Sequence, residues 1–361
     1  MTQSLPPPTN RRVWTLTHFG APEAAFELRE EPRTAPAPDQ IEIAVEVSGL
    51  NFADILAGNG NYADCPPLPC VLGYEVVGRV SKVPAHGKTP LREGDRVAAF
   101  TRFGGYASHV LTPAEAAVKI PENLPAAEAA ALITQGATAW YMAEDVTRIF
   151  PGDRVLVQAA AGGVGQILAQ LAKARGAIVY GTASTPEKLE FLARIGVDHP
   201  IAYTREDFVD AIAQIQGTSK PKLDLVFDSL GGRDFSRARK LLRAGGRILA
   251  FGAASAHSES RNPLKLLQLA WGFGVQSPIP LLMQSKSLIG VNMLKIADER
   301  PEVLRRCLIG IIDFWKTGQL KIHVGGVYPT EAIAEAHRAL GGRGTTGKLV
   351  LNWGSKDGLA P

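Results

Sequence analysis

Residues Ala160, Ala161, Gly162, Gly163, Val164 and Gly165 form a glycine-rich run whose spacing suits phosphate chemistry. Glycine at position 162 lets a backbone approach a pyrophosphate, and glycine at 165 lets a helix pack close against a strand. The start of that helix then offers N–H groups to the anion. The run is the dinucleotide fingerprint with its first glycine replaced by Ala160. It carries that meaning only between a strand and a helix. Both are legible: Val155, Leu156 and Val157 read as a buried strand, while Ile167, Leu168, Leu171 and Ala172 recur at helical spacing on one face. A dinucleotide is therefore predicted at residues 160–165.

Which dinucleotide binds depends on the end of the next strand, about twenty residues beyond the glycines, where an NAD-specific fold places an Asp or Glu on the ribose hydroxyls. The sequence there is Tyr180-Gly181-Thr182-Ala183-Ser184-Thr185-Pro186-Glu187-Lys188, and no acid ends the strand. Glu187 follows Pro186 in what reads as the first turn of a helix capped by Thr185 or Ser184, so its carboxylate answers the helix dipole. Ser184 and Lys188 supply a hydroxyl and a cation suited to a phosphate, and Tyr203 lies at the end of the third strand. The predicted cofactor is NADPH, with Thr182 among its neighbours.

The residues Gly152-Asp153, Leu156, Ala160-Ala161-Gly162-Gly163, Gly165, Gln170 and Lys173 resemble, position for position, the signature of the zinc-free quinone oxidoreductases. That branch of the medium-chain dehydrogenases/reductases includes zeta-crystallin. The resemblance runs from residue 14 to 352 and takes in GLNFADILAGNGNY, LPCVLGYEVVGRV, EGDRVAAF and TTGKLVL. Within the branch, GLNFAD, GTAS and VDHPIAY look closest to the vesicle amine transport protein group. The resemblance implies that Ser184, Lys188 and Tyr203 hold the adenosine 2′-phosphate. It also implies that the nicotinamide and diphosphate are approached by Asn51, by Thr138 near the start of a linking helix, by Ser229 after the fourth strand, by Phe251 and Gly252 after the fifth, and by Lys348.

The larger part of that superfamily uses zinc, and a catalytic zinc needs three Cys, His or carboxylate ligands. Where those enzymes carry their first cysteine this chain has Asn51, and their GHE element is Gly73-Tyr74-Glu75 here. Cys65 and Cys70 are too few for a four-cysteine lobe, and the seven histidines are mostly scattered singly. No metal is expected. The chemistry then rests on hydride transfer and on hydrogen bonds to the acceptor: an enone, a quinone or an enoyl thioester takes hydride at carbon and develops charge on oxygen. Tyr62, in the Gly60-Asn61-Tyr62 loop, is the candidate donor, since a matching tyrosine is the proposed proton donor in related enoyl-thioester reductases. Its competing role is packing under the Pro66-Pro67 turn. Asn51 is expected to orient substrate by its amide. Asp54 is explained without catalysis, as the cap of a helix beginning near Ala53.

These residues require two kinds of scaffold. Before Gly136 the chain is dense in short strand patterns (IEIAVEVSG, VVGRVSKV, DRVAAF, YASHVLT). Afterwards strands expected at 154–158, 178–182, 199–202, 223–228, 247–252 and 287–291 alternate with helical patterns, which is a doubly wound parallel sheet. An amphipathic helix over 301–317 and a strand over 348–352 follow. The fold class is α/β: a Rossmann nucleotide domain beside a β-rich domain that the resemblance makes GroES-like. It also implies a discontinuous catalytic domain, 1–134 and 296–361, with the NADPH-binding domain at 135–295. A chain of 361 residues with 45% apolar content agrees with two domains. The net charge of +4 is unclustered and gives no argument for nucleic acid. Three cysteines without a CxxC pair favour a reducing compartment, with the cytoplasm as the expectation. Residues 1–12 show no signal pattern, and no apolar run reaches transmembrane length.

Residues 263–283 depart from a minimal reductase, being rich in Leu, Trp and Phe and sparsely charged. Such a surface covers a cleft, forms a subunit interface or touches a membrane. Interface or cleft is expected, because a membrane-surface helix shows a basic face and this stretch offers only Lys265. The strand at 287–291 falls at a sheet edge with neither Pro nor charge, so a homodimer with a continuous sheet is expected. Two functions follow: an NADPH-dependent reductase of a small quinone or activated double bond, or a nucleotide-binding, membrane- or partner-associated protein with little turnover.

Overall fold

The computed structural model describes residues 9–87, 89–252, 277–342 and 344–354. The chain forms two compact units: one gathers the residues up to Thr134, Ala297–Ile309 and those from Val324 on, the other Gln135–Ile296 and Gly310–His323.

The first unit carries β1 (Asn10–Leu16), β2 (Phe26–Pro32), β3 (Gln40–Leu50), β4 (Cys70–Val71), β5 (Glu75–Lys82), β6 (Arg96–Phe100), β7 (His109–Pro113) and β8 (Ala117–Lys119). The second carries β9 (Arg154–Val157), β10 (Ile178–Ala183), β11 (His199–Ala202), β12 (Leu223–Asp228), β13 (Leu242–Ala250) and β14 (Ser287–Gly290). The chain returns to the first with β15 (Val324–Pro329) and β16 (Lys348–Asn352).

In the first unit β2, β1 and β4 make a small sheet, while β15, β16, β3, β5, β6 and β8 run side by side in a second, with β7 also on β3. Val13, Ile41, Ile43, Val76, Val97 and Val110 fill its core. Register decides what meets at one corner. β16 runs antiparallel to β3 with Leu349 opposite Leu50, and β3 runs antiparallel to β5 with Ser48 opposite Val76. The last residues of β3 and the first of β5 and β16 are therefore neighbours.

Among the described residues the second unit forms a six-stranded sheet in the order β11-β10-β9-β12-β13-β14, parallel throughout. Every residue of β12 is buried, as a strand covered on both faces requires. The order turns back between β9 and β12, the switch point at which doubly wound folds take ligands.

The expectation that the whole tail from 296 belongs with the first unit needs correction, because Gly310–His323 groups with the second. A Cβ on Gly310 would stand 2.5 Å from Trp140, so the helix Pro301–Lys316 lies hard against that ring. Strand β13 also begins earlier than expected, at Leu242 rather than 247. Residues 262–275, together with Ala253 and Ala254, lie outside the described residues. Of the apolar stretch, the helix Pro278–Gln284 is described, and its Ile279, Leu282 and Met283 are 68%, 79% and 79% exposed. Among the described residues no helix is long and apolar enough to cross a membrane.

Candidate functional site

In the second unit the turn after β9 is shaped by Thr182. Its hydroxyl accepts the Ala159 N–H at 3.1 Å, and its carbonyl accepts the Ala160 N–H at 3.0 Å. Ala159 takes a left-handed φ of 49°, uncommon for a residue with a side chain, and these two bonds hold it there. Thr182, expected beside the cofactor, is only 2% exposed and serves the turn from beneath. The helix Gly163–Ala174 follows, its first internal bond running from Gln166 N–H to Gly162 carbonyl at 3.0 Å. The N–H groups of Gly163, Val164 and Gly165 precede that bond, which is the anion-binding arrangement of a helix start.

The three glycines differ in what demands them. A Cβ on Gly165 would lie 2.5 Å from the Ala159 carbonyl, and one on Gly163 would collide with the Gln135 side chain. The fold itself needs glycine at 165, where the obstacle is backbone, whereas at 163 the obstacle is the end of a flexible side chain. A Cβ on Gly162 would meet nothing but the Ala159 carbonyl, at 3.2 Å. Apart from that one tight contact the position is open, which is the room a close approach of a pyrophosphate to the backbone would require. Sequence reasoning missed Gln135, whose only signal is the double glycine opposite it.

At the carboxyl end of β10 the structure brings together the residues expected to read the ribose. Ala183 is paired with Ala202, so Ser184 and Tyr203 follow side by side, with Tyr203 N–H on the Ala183 carbonyl at 3.2 Å. Thr185 is the cap of the helix Pro186–Arg194. The Thr185 hydroxyl, then its own backbone N–H, hold the Glu187 carboxyl below its ordinary range, so this acid belongs to the helix start. Lys188 is 8% exposed, and burial lowers its pKa. An anion beside it would recover that cost. Thr204, which sequence reasoning passed over, ties the Ser184 carbonyl at 2.8 Å.

Further along the switch point, Asp228 ends β12 fully buried, accepting the Gly231 N–H at 2.7 Å. Burial pushes its carboxyl up to about 7, with the Gly231 N–H opposing and Asp234 adding to the rise. A Cβ on Gly252 would come within 2.8 Å of the Ser229 carbonyl, so the turns carrying Ser229 and Phe251 touch. Thr138 sits in a short helical turn flanked by π-helical turns at Leu132–Gly136 and Tyr141–Asp145, a distortion frequent at functional sites.

The first unit holds a buried polar cluster at the corner where β3, β5 and β16 meet. Asn51 donates its amide to Glu75 at 2.8 Å and accepts from the Lys348 ammonium at 3.1 Å. Lys348 also bonds Glu75 and the Leu50 carbonyl, the latter at 3.0 Å. Glu75 and Lys348 are both fully buried. Two expectations change. Both ends of the Asn51 amide are engaged inside the protein, and the three N–H of Lys348 are satisfied there, so its side chain does not reach outward toward a cofactor. A side chain at Gly49 would strike Glu75 and Lys348, which is why glycine precedes this corner.

Tyr62 lies half-buried over the same unit, edge-on to Tyr74 with ring centres 6.3 Å apart; Tyr74 in turn meets Phe103 at 5.1 Å. Burial raises the Tyr62 pKa, the Tyr74 phenol eases it, and Asp64 and Asp54 raise it further. The ring packs against the core beside Cys65, Leu68 and Cys70, so the packing role is real on its inner side. Among the described residues no three His, Cys, Asp or Glu side chains converge on a possible metal position.

Two family descriptions match this architecture: the alcohol dehydrogenase GroES-like domain over residues 37–122 and the zinc-binding dehydrogenase over 163–308. The human synaptic vesicle membrane protein VAT-1 homolog is 33% identical over 343 residues, covering 94% of this chain and 86% of that protein. Among solved structures, Escherichia coli quinone oxidoreductase complexed with NADPH superposes with a TM-score of 0.81 at 30% identity, over 95% of this chain and 99% of that one. The CurK enoyl reductase does so with a TM-score of 0.80 at 26% identity, over the same shares. With a GroES-like unit, a Rossmann unit and a relative one-third identical along nearly its whole length, the chain belongs to the medium-chain dehydrogenase/reductase superfamily.

Proposed function

We propose that the protein is a zinc-independent, NADPH-dependent oxidoreductase that reduces a quinone or an activated carbon–carbon double bond. The observation that carries this reading is the end of β10, where Ser184 and Tyr203 follow the paired ends of two strands, the buried Lys188 lies in the first turn of the next helix, and no carboxylate ends the strand. Likeness to a quinone oxidoreductase complexed with NADPH and to an enoyl reductase supports it. When bound, NADPH supplies a hydride. The chain does the rest. Helix-start N–H groups at 163–165 hold the diphosphate, Lys188 and Ser184 hold the extra phosphate, and the loops of Thr138, Ser229 and Phe251 line the nicotinamide end. Tyr62 gives its phenolic proton to the oxygen on which charge develops. The Asn51–Glu75–Lys348 cluster supplies fixed polarity where zinc relatives carry a metal ligand.

The test is turnover of 1,4-naphthoquinone and of a simple enone with NADPH, on protein assayed for metal content. Activity in metal-free protein that falls up to about a hundredfold in Tyr62→Phe, with NADPH affinity unchanged, is the expected result. Full activity in that variant while hydride transfer limits turnover returns Tyr62 to packing. Absence of turnover with intact NADPH binding would instead favour the binding-protein reading, which the exposed Ile279, Leu282 and Met283 support as a partner surface.

A further inference from the structure

A helix-capping acid ordinarily sits at the surface and satisfies the helix start alone. Asp54 does more. It is fully buried, and its two oxygens serve two segments: Oδ2 accepts the Asn51 N–H at 2.8 Å, and Oδ1 accepts the Gly73 N–H at 3.1 Å. It therefore fastens the end of β3 to the Gly73-Tyr74-Glu75 stretch. Capping explains only the first bond.

The groups facing this carboxyl come from several elements. Glu75 opens β5 and Lys348 opens β16; the Tyr106 phenol, fully buried, lies against it. Burial raises the pKa of Tyr62, Tyr74 and Cys65, and the Asp54 charge adds to each rise. Burial pushes the Asp54 carboxyl up to about 7; the Asn51 N–H opposes, Glu75 adds, and Lys348 and the Gly73 N–H oppose. A carboxylate accepts from both N–H groups. A carboxylic acid keeps one of them on its carbonyl and turns its hydroxyl to the Tyr106 oxygen beside it.

We infer that Asp54 is a positioning residue for the reduction: it latches Asn51 to Gly73, and by holding or releasing a proton it sets how readily Tyr62 gives up its own. This rests on the reading of Tyr62 as proton donor. In the step itself, hydride goes to the acceptor carbon and the Tyr62 proton to the acceptor oxygen, leaving a tyrosinate that solvent reprotonates. A negative Asp54 opposes that tyrosinate and a neutral one does not, so turnover falls as pH rises through the neutral range.

The test is kcat for 1,4-naphthoquinone from pH 6 to 8.5, at saturating NADPH and with 4-deuterated NADPH to establish that hydride transfer limits. Wild type should lose about tenfold on the alkaline side, the order of effect expected when a buried unit charge opposes a developing negative charge in the same polar cluster. Asp54→Asn should be flat. A merely structural Asp54 would lower kcat equally at every pH and keep the slope, and that result overturns the inference. Tyr62→Phe separates the two readings: a fully active Tyr62→Phe sinks the proton-donor assignment, whereas a slow Tyr62→Phe beside an unchanged slope in Asp54→Asn sinks only the role of Asp54. Should Asp54→Asn fail to fold, ring-carbon NMR of tyrosine-labelled wild type decides. The Tyr62 resonance should shift between pH 6 and 8, well below its own ionisation, and a resonance that stays still contradicts the coupling.

Discussion

Gln170 pairs both ends of its amide with the backbone of Lys321, donating to its carbonyl at 2.9 Å and accepting its N–H at 2.9 Å, as a neighbouring strand would. One turn earlier on the same helix, Gln166 repeats the pattern with His323, at 3.1 and 2.9 Å. The helix that opens the phosphate turn thus grips the crossing segment 321–323 through two side chains, which explains why that segment groups with the second unit. Gln170→Ala leaves both Lys321 backbone groups without their partner. A loss of about 2 kcal/mol in unfolding free energy is expected, with NADPH affinity little changed. Denaturant titration and cofactor titration on one preparation check both halves.

Lys188→Ala should weaken NADPH far more than NADH, because only NADPH brings a phosphate to the end of β10. A charge-assisted contact is worth about 1.5–3 kcal/mol, so roughly a ten- to hundredfold rise in Kd for NADPH is expected. Equal losses for the two cofactors, measured by fluorescence titration, would remove the basis for the assignment.

The glycines of the turn make a paired prediction. Gly165→Ala drives a methyl to within 2.5 Å of the Ala159 carbonyl and should destabilise the fold. Gly162→Ala meets only the Ala159 carbonyl, so it should melt within a few degrees of wild type yet bind NADPH at least tenfold more weakly. A Gly162→Ala protein with normal affinity would mean the space at that position has no ligand in it.

How much of this was legible in the chain follows from distance along it. The turn at 158–165, its strand and its helix are contiguous, and Ser184, Lys188 and Tyr203 fall at strand ends whose places the apolar runs announce. The polar corner was not legible. Asn51 is separated by 24 residues from Glu75 and by 297 from Lys348, and only the register of β16, β3 and β5 joins them. Nothing near Lys348 in the sequence points to Asn51 or Glu75, so its buried pairing is invisible there. The start of β13 is hard to read because it carries Gly245, whose φ of 78° is unusual for a strand and which lies near a register shift against β12.

Buried histidine gives a prediction with a definite sign. His337 is 4% exposed against the rings of Phe26 and Tyr106, and burial lowers its pKa to about 3. The unfolded chain then binds a proton that the folded chain refuses, so stability falls as pH drops below about 6.5, by about 2 kcal/mol at pH 5. Asp54 and Asp228 act oppositely: their folded carboxyls hold protons up to about 7, so acidification from 7 toward 4 favours the fold. The comparison must be by difference. Relative to His337→Leu, wild type should lose about 2 kcal/mol between pH 7.5 and pH 5; parallel curves would show that His337 takes up its proton without unfolding.

Among the described residues strand β14 ends the sheet of the second unit, with Leu288 and Ile289 partly exposed and neither Pro nor charge within it. Its register shows which groups are available. Val291 donates its N–H to the Ala250 carbonyl, so the alternation of a strand turns the N–H of Ile289 inward as well and that of Leu288 outward. Just before it, the helix Pro278–Gln284 presents Ile279, Leu282 and Met283 to solvent. An edge of this kind invites a second copy, and an isologous pair would satisfy both edges at once. We expect a homodimer whose sheet continues across the two-fold axis. Leu288→Pro removes an outward donor while sparing the ladder to β13, so it should shift the chain to a folded monomer, read by light scattering with circular dichroism as the control for folding. A wild-type monomer at micromolar concentration would reject the dimer outright. A dimer that survives Leu288→Pro but parts on Leu282→Lys would move the interface from the strand to the helix.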